Sequence, residues 1–155
     1  METTLVLVKP DGVQRRLVGR ILGRFEEKGL QIVGLRLSLL PRDLLERHYG
    51  AHRGKGFYEG LVSYMASSPV VVLALRGKNA VAVVRKMMGA TFGSKAEPGT
   101  IRGDFAISDG YNLVHGSDSP EAASREIDLF FGKGGVVEWT PGDLEWVYDV
   151  SDGAR

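Results

Sequence analysis

The chain contains no cysteine among its 155 residues. Disulfide bonds, thiol nucleophiles and cysteine-ligated metal centres are therefore excluded. An excess of one charge is also absent, because 20 basic residues stand against 19 acidic ones and leave a net charge of +1. Specific binding of nucleic acid is not expected without a basic surface, and an anion site must be built from individually placed Lys and Arg side chains.

Long apolar runs are missing as well. The apolar stretch near the N-terminus, Leu5 to Val8, has the length of one strand and stops at Lys9. It is too short for a signal peptide or a membrane span, so we expect a cytoplasmic protein with no membrane partner. Hydrophobic residues make up 43% of the chain, which suffices for one core, and we expect residues 1–155 to form a single domain.

The common Gly-rich phosphate cradles are also absent. The stretch from Gly54 to Gly60 has one residue too many for G-x-G-x-x-G and follows no predicted strand, and G-x-x-x-x-G-K-[ST] does not occur. A bound nucleotide would have to be held in another way. His48 and His52 have the spacing of a metal-binding pair, but Gly50 lies between them and no third ligand is evident, so we interpret both as surface histidines.

Hydrophobic periodicity predicts an α/β chain of the α+β type in the order β-α-β-α-α-β-α-loop-β-α. The predicted strands are 4–9, 30–39, 69–75 and 113–115, and the predicted helices are 18–28, 41–49, 57–65, 79–88 and 119–131. Residues 89–110 have little periodicity and are predicted as a loop. The order resembles the split βαβ of ferredoxin-like folds, with a four-stranded antiparallel sheet covered by helices.

The run from Asn112 to Ser119 carries the clearest chemical signal. It places His115 between a short apolar pair and a polar turn, and Ser119-Pro120 then begins a helix with a capping residue and a first-turn proline. A neutral imidazole at such a junction can act as a nucleophile without a separate base. In the alternative interpretation, His115 is a core histidine satisfied by a hydrogen bond.

Glu126 is the candidate partner of this histidine. It lies in the last predicted helix beside an inward-facing apolar stripe, where a carboxylate requires a partner such as an imidazole N–H. Ser117 could bridge or orient the pair. The alternative for Glu126 is an ordinary place on a solvated helix face.

Three cations and two aromatic residues could complete a site around His115. Lys9 ends the first strand, Arg85 lies in the helix over 79–88, and Arg102 sits in the long loop. Together they could surround a polyphosphate and neutralise a transferring phosphoryl group, while Phe57 and Tyr49 could supply a stacking face and a hydroxyl. Taken alone, each cation is typical of a surface charge and each aromatic of a core or interface position.

Several longer motifs can be compared with known families. The segment from Thr4 to Gly12 reads T-x-x-x-[IV]-K-P-D-[GA], and Asn112 to Ser119 reads N-x-x-H-[GA]-S-D-[SA]. Shorter motifs lie between them: His48-Tyr49, Lys55-x-Phe57-Tyr58 and Pro98-Gly99-Thr100-Ile101-Arg102-Gly103-Asp104-Phe105. In these motifs, their order and their spacing, the chain resembles the nucleoside diphosphate kinase family nearly end to end.

The resemblance implies ping-pong transfer of the γ-phosphate from a nucleoside triphosphate, typically ATP, to a nucleoside diphosphate through a phosphohistidine at His115. It implies that Glu126 and Ser117 orient the ring and that Tyr49 lies close to it. The implied nucleotide-binding residues are Lys9, Arg85, Thr91, Arg102 and Asn112 for phosphates or ribose, and Phe57 for the base. Mg²⁺ is expected to arrive on the nucleotide with little direct protein ligation, so we assign no metal-binding residue.

Two positions depart from the family pattern. Family members often have an apolar residue closing the base site where this chain has Asp109, and the loop over 91–96 differs from the commoner N-P-A-type loop, which helps to build subunit contacts.

The resemblance implies a homo-oligomer built on dimers, and we favour a hexamer over a tetramer. The alternative function is a catalytically idle nucleotide- or partner-binding module on the same fold. Loss of His115, Lys9 or Arg102 would indicate it, and all three are present.

Overall fold

The computed structural model describes residues 1–153. The strands are β1 (Glu2–Val8), β2 (Gln31–Ser38), β3 (Val70–Gly77) and β4 (Val114–Gly116). The helices are α1 (Pro10–Gln14), α2 (Val18–Glu27), α3 (Arg42–His48), α4 (Tyr58–Ala66), α5 (Ala80–Met88), α6 (Ile101–Phe105), α7 (Pro120–Phe131) and α8 (Leu144–Val147). The strands form one antiparallel sheet in the order β2-β3-β1-β4, which confirms the predicted fold class.

The two central strands, β1 and β3, are buried on both faces of the sheet, and β1 is apolar from Leu5 to Val8. Leu5 and Leu7 pack beneath α3, α4 and α7, whereas Val6 and Val8 pack beneath α2, α5 and α6. All four side chains are fully buried. Successive strand residues point to opposite faces, so one short apolar run supports both cores and holds the two helical layers in register.

Three short helices, α1, α6 and α8, were missed by the periodicity. α1 begins with Pro10 at a position that tolerates the missing N–H, directly after the first strand. α6 interrupts the predicted loop, and the Thr100 hydroxyl caps it by accepting from Gly103 N–H. Helices of five residues are too short to show an apolar stripe. Asn79 stands at the start of α5 as predicted, but its side chain makes no cap there.

β2 is less buried than its sequence predicts. Leucines alternate there with Arg36 and Ser38, a pattern typical of a strand with one buried face. Leu35, Leu37 and Leu39, predicted to face inward, are 55%, 64% and 70% exposed. β2 is an edge strand, and the C-terminal segment covers it only near its beginning, where Val137 N–H donates to Val33 O at 2.7 Å. The far half of β2 therefore presents an uncovered apolar edge.

No helix within residues 1–153 is long and apolar enough to cross a membrane. Location in the cytoplasm stays a prediction.

Candidate active site

β4 carries His115 to the face of the sheet that lies under α3 and α7. Val114 packs into the opposite core, and His115, opposite Leu7 of β1, points the other way. The chain reaches β4 through Leu113, whose φ of 71° is left-handed and costs a non-glycine residue roughly 1–3 kcal/mol. Asp11 accepts a hydrogen bond from Leu113 N–H at 3.1 Å, which holds this conformation and so sets the direction of His115.

Glu126 of α7 binds the inner nitrogen of the His115 ring. The Nε2 to Oε2 distance is 2.6 Å, and the side chains are only 25% and 13% exposed. A carboxylate accepts, so Nε2 is the protonated nitrogen and the lone pair lies on Nδ1. The structure thus brings together the pair that the sequence singled out, with the unprotonated ring nitrogen on the side away from Glu126.

The surroundings of Glu126 keep it ionised. Burial by itself raises the pKa of Glu126, but the hydrogen bond from His115, the nearby charges and the Ser117 hydroxyl lower it to a net value below the usual range. Ser117 is fully buried, and its Oγ lies beside the carboxylate without reaching hydrogen-bond geometry to any group. That Ser117 bridges or orients the pair stays a prediction.

His48 is the residue that sequence reasoning misjudged. Its side chain is 4% exposed, so its interpretation as a surface histidine is wrong. The ring lies between Tyr49 and His115, with centroid distances of 4.4 and 4.8 Å. Burial and the charge of Glu126 raise the pKa of Tyr49, so its hydroxyl stays protonated. The one sequence signal for a position of His48 beside His115 was the His48-Tyr49 motif of the family. His52 lies nearer the surface, as expected.

A chain of side-chain hydrogen bonds links three of the predicted nucleotide-binding residues. Lys9 Nζ donates to Asn112 Oδ1 at 2.8 Å, and Asn112 Nδ2 donates to the Thr91 carbonyl at 2.8 Å. Burial and the charge of Arg102 lower the pKa of Lys9 to about 8. The Lys9 ammonium is therefore charged at neutral pH, but its burial leaves that charge poorly solvated. This favours the binding of an anion beside it.

The two predicted phosphate-binding arginines have unequal positions. Arg102 is 7% exposed and donates to three main-chain carbonyls, those of Asn112 at 3.1 Å, Gly89 at 3.1 Å and Val114 at 2.6 Å. Arg85 is exposed and donates only to Gly116 O at 3.2 Å. Burial and the charge of Arg85 lower the pKa of Arg102 to about 10, so it remains a cation. Two of its five N–H groups are left for a ligand.

A cavity of about 540 Å³ lies beside the His115 ring. Its wall includes four of the predicted residues: Tyr49, Arg85, His115 and Glu126. Lys9, Thr91, Arg102 and Asn112 form a separate hydrogen-bonded group that does not line this cavity. Phe57 stands just before α4 and is 54% exposed, with one ring face near Lys55 Nζ at 5.8 Å. The His52 ring also lies near Phe57, with the ring centroids 5.3 Å apart, so the Phe57 side chain is only partly accessible.

The two departures from the family pattern contact each other. Asp109 Oδ1 accepts from Ser94 Oγ at 2.6 Å and from Ser94 N–H at 3.2 Å. These hydrogen bonds lower the pKa of Asp109. The carboxylate is thus bound to the loop that differs from the common form, instead of pointing freely at a base.

One group of side chains within residues 1–153 has the composition of a metal site. Ligating atoms of His48, His115 and Glu126 lie within 4.8 Å of one another. Two nitrogens and one oxygen do not fit Mg²⁺, which binds oxygen ligands, and the Glu126 oxygen is already bonded to His115. The group therefore gives no support to Mg²⁺ held by the protein itself.

Comparison with known proteins places this geometry in a family. Residues 2–136 match the family model described as nucleoside diphosphate kinase. The chain is 52% identical over 149 residues to the nucleoside diphosphate kinase of Archaeoglobus fulgidus, an alignment that covers 96% of this chain and 99% of that one. It is 54% identical to the enzyme of the same name from Pelotomaculum thermopropionicum, with 96% and 100% covered.

Solved structures agree with the sequence comparison. A halophilic nucleoside diphosphate kinase from Halobacterium salinarum, in complex with CDP, superposes with a TM-score of 0.92 at 46% identity, covering 96% of this chain and 99% of that chain. A nucleoside diphosphate kinase from Encephalitozoon cuniculi gives a TM-score of 0.90 at 41% identity, with 96% and 100% covered. These relatives support an active kinase over the idle module. The chain belongs to the nucleoside diphosphate kinase family.

Proposed function

We propose that His115 Nδ1 carries the γ-phosphoryl group between a nucleoside triphosphate, typically ATP, and a nucleoside diphosphate. The observation that supports this most is the 2.6 Å hydrogen bond of Nε2 to Glu126, which leaves the lone pair on Nδ1. The N–P bond forms as the bond from the γ-phosphorus to the bridging oxygen breaks, and the diphosphate leaves with that electron pair. A second diphosphate then attacks the phosphohistidine in the reverse direction, so one site serves both steps.

Phosphoryl transfer places positive charge on the His115 ring and negative charge on the phosphates, and each charge requires a partner of opposite sign. As the N–P bond forms, the imidazole gains positive charge, which the Glu126 carboxylate neutralises from behind. Lys9, Arg85 and Arg102 neutralise the phosphates from the front. In this proposal Thr91 and Asn112 contact phosphate or ribose, Phe57 stacks on the base, and Ser117 and Tyr49 support the ring. Stacking on a phenyl face reads no base edge, which fits a broad range of nucleotides.

Mg²⁺ belongs to the substrate in this proposal. The family uses nucleotides, whose phosphate oxygens are the ligands that Mg²⁺ prefers, and the nitrogen-rich group around His115 is not a competing site. The metal ion neutralises phosphate charge when it arrives with the nucleotide.

Labelling with γ-labelled ATP and Mg²⁺ tests the proposed function. The chain should take up label in an acid-labile, base-stable form and release it on addition of unlabelled nucleoside diphosphate. A catalytically idle module would bind nucleotide but take up no label.

Nucleotide binding should become weaker as the pH rises above 8. Lys9 has a pKa of about 8 in the free protein, so its positive charge is present below that pH and is lost above it. An incoming phosphate favours the charged form, so binding at pH 8 should take up protons from solution. Calorimetry of ADP binding in two buffers of different ionisation enthalpy measures this uptake.

The variant Lys9→Arg provides the control for this titration, because arginine stays charged throughout the range. Its binding should show much smaller proton uptake at pH 8. Equal uptake in the variant and the wild type would mean that another group is responsible.

We propose that the chain works as a homo-oligomer, with a hexamer favoured over a tetramer. The supporting feature is the uncovered half of β2, where unpaired backbone groups of an edge strand coincide with Leu35, Leu37 and Leu39. An apolar edge of this kind is stabilised when a second copy of the chain covers it.

Leu37→Asp should therefore shift the protein to a smaller assembly. A buried carboxylate without a partner destabilises a contact strongly, whereas at a free surface it would have little effect. Sedimentation velocity measures the change. A sedimentation coefficient equal to that of the wild type would rule out this edge as a subunit contact.

A further inference from the structure

We propose that His48 is a positioning residue of this site, whose Nδ1–H faces Glu126 and holds that carboxylate in place as the acceptor for His115. The inference rests on the proposed phosphohistidine at His115. It assigns His48 no contact with the nucleotide, because the residue acts through Glu126.

Packing fixes the His48 ring on three sides. His48 is the last residue of α3, and its ring makes edge contacts with Tyr49, His115 and Phe130 at centroid distances of 4.4, 4.8 and 5.1 Å. The His48 and His115 planes are nearly perpendicular, at 87°. A ring held in this way cannot turn its nitrogens to other partners without disturbing the core.

The position of the two ring nitrogens determines which one carries the proton. His48 Nδ1 lies 3.5 Å from Glu126 Oε2, whereas Nε2 is buried and has no hydrogen-bond partner among residues 1–153. A proton on Nε2 would leave a buried donor unsatisfied and would turn the Nδ1 lone pair towards a carboxylate oxygen, and both are unfavourable. The Nδ1–H tautomer avoids both costs and directs a donor at Glu126.

A neutral donor suits this place better than a cation would. Burial and the charge of His115 lower the pKa of His48 to about 4, so the ring is neutral at physiological pH. The titratable and charged groups around His48 and Glu126 are His115, His52, Lys9, Tyr49, Arg47, Arg85, Arg125 and Asp118. A charged His48 would compete with His115 for Glu126, whereas the neutral ring adds a second donor without drawing the carboxylate away.

The expected consequence lies in the chemical step. During attack on phosphorus, Glu126 must be ionised and aligned with His115 Nε2 while the ring charge changes. A shift of this carboxylate towards the cavity would lose the 2.6 Å hydrogen bond and let the ring rotate away from the phosphorus. The donor from His48 restrains that shift.

Two variants separate this role from simple packing. His48→Asn keeps an amide donor near the position of Nδ1 but fills less space, whereas His48→Phe keeps a ring of similar size without a donor. We expect the Phe variant to lower the rate constant of labelling by γ-labelled ATP roughly tenfold with KM unchanged, and the Asn variant to stay within about threefold of wild type. The opposite order, with Phe active and Asn impaired, would show a packing role and overturn the proposal.

A pH profile adds a readout that packing alone would not move. Loss of the donor raises the pKa of Glu126, so the acid limb of labelling should move to higher pH in the Phe variant and stay in place in the Asn variant. An unmoved limb in the Phe variant contradicts the inference.

Imidazole ¹⁵N NMR of the wild-type protein keeps the inference testable if neither variant folds. A proton on His48 Nδ1 supports it and a proton on Nε2 overturns it. A wild-type chain that takes up no label would contradict the proposed function instead, and the NMR result does not depend on labelling.

Discussion

His115→Gln is expected to abolish phosphoryl transfer and the acid-labile phosphoenzyme while leaving the fold intact. The glutamine amide nitrogen is a poor nucleophile, so both half-reactions lose their covalent intermediate. Removing a covalent nucleophile costs roughly 10⁴–10⁶ in turnover. The side chain of glutamine has a size close to that of histidine, and His115 is at a partly exposed strand position, so stability should change little.

His52→Gln is the matched control for this variant. His52 lines the same cavity but has no contact with Glu126, so its replacement should leave labelling within about threefold of wild type. Steady-state exchange and γ-label uptake measure both variants, and ADP calorimetry shows whether binding persists. Robust exchange by His115→Gln would refute the phosphohistidine mechanism.

Arg102→Ala should lower both stability and turnover. The guanidinium donates to three main-chain carbonyls and so ties α6 to β4 and to the end of α5. Its loss removes the Arg102 donor from the Gly89 and Val114 carbonyls, whereas Asn112 O keeps a hydrogen bond from Val114 N–H at 2.8 Å. We expect roughly 3–5 kcal/mol lower free energy of unfolding. For a domain of this size that corresponds to a melting temperature about 10 °C lower. Turnover should also fall, because the two N–H groups that we assign to the phosphate are lost with the guanidinium.

Arg85→Ala separates these two effects. Arg85 is exposed and makes one hydrogen bond to the main chain, at 3.2 Å, so its loss should cost under about 1 kcal/mol of stability. Its turnover should still fall strongly. Thermal unfolding and steady-state kinetics on both variants decide the matter: if Arg102→Ala melts like Arg85→Ala, the structural role of Arg102 is wrong.

The regular elements with strong periodicity were predictable, and the irregular ones were not. α2, α5 and α7 carry an apolar stripe over at least two turns, and Ser119 caps α7 as predicted, accepting from Ala122 N–H at 3.1 Å. α1 and α6 depend on one proline and one capping threonine, which is too little signal for a pattern. Leu37 looked like a core residue because a sequence does not distinguish a strand face that a helix covers from one that is left exposed.

Some residues of the candidate site were likewise predictable from the sequence, and others were not. His115, Glu126 and Lys9 were found because a histidine, a carboxylate and a cation at element ends are unusual enough to weigh together. His48 was missed because its spacing to His52 suggested a surface pair, while its burial arises from the packing of α3 against α7, which local sequence does not reveal. The shared hydrogen bonds of Asp109 and Ser94 likewise join two loops fifteen residues apart.

The sequence by itself determined the chemical groups available to this protein: a histidine proposed as the nucleophile, cations without a Gly-rich cradle, no thiol, and an apolar run able to serve two cores. Residue types and their order along the chain carry that information because each type has a fixed chemical capacity. Only the tertiary structure decided three further points. They are which nitrogen of His115 is unprotonated, which arginine donates to main-chain carbonyls, and which second histidine lies beside Glu126. These depend on distances between residues far apart in the chain, and such distances are set by how the helices pack on the sheet.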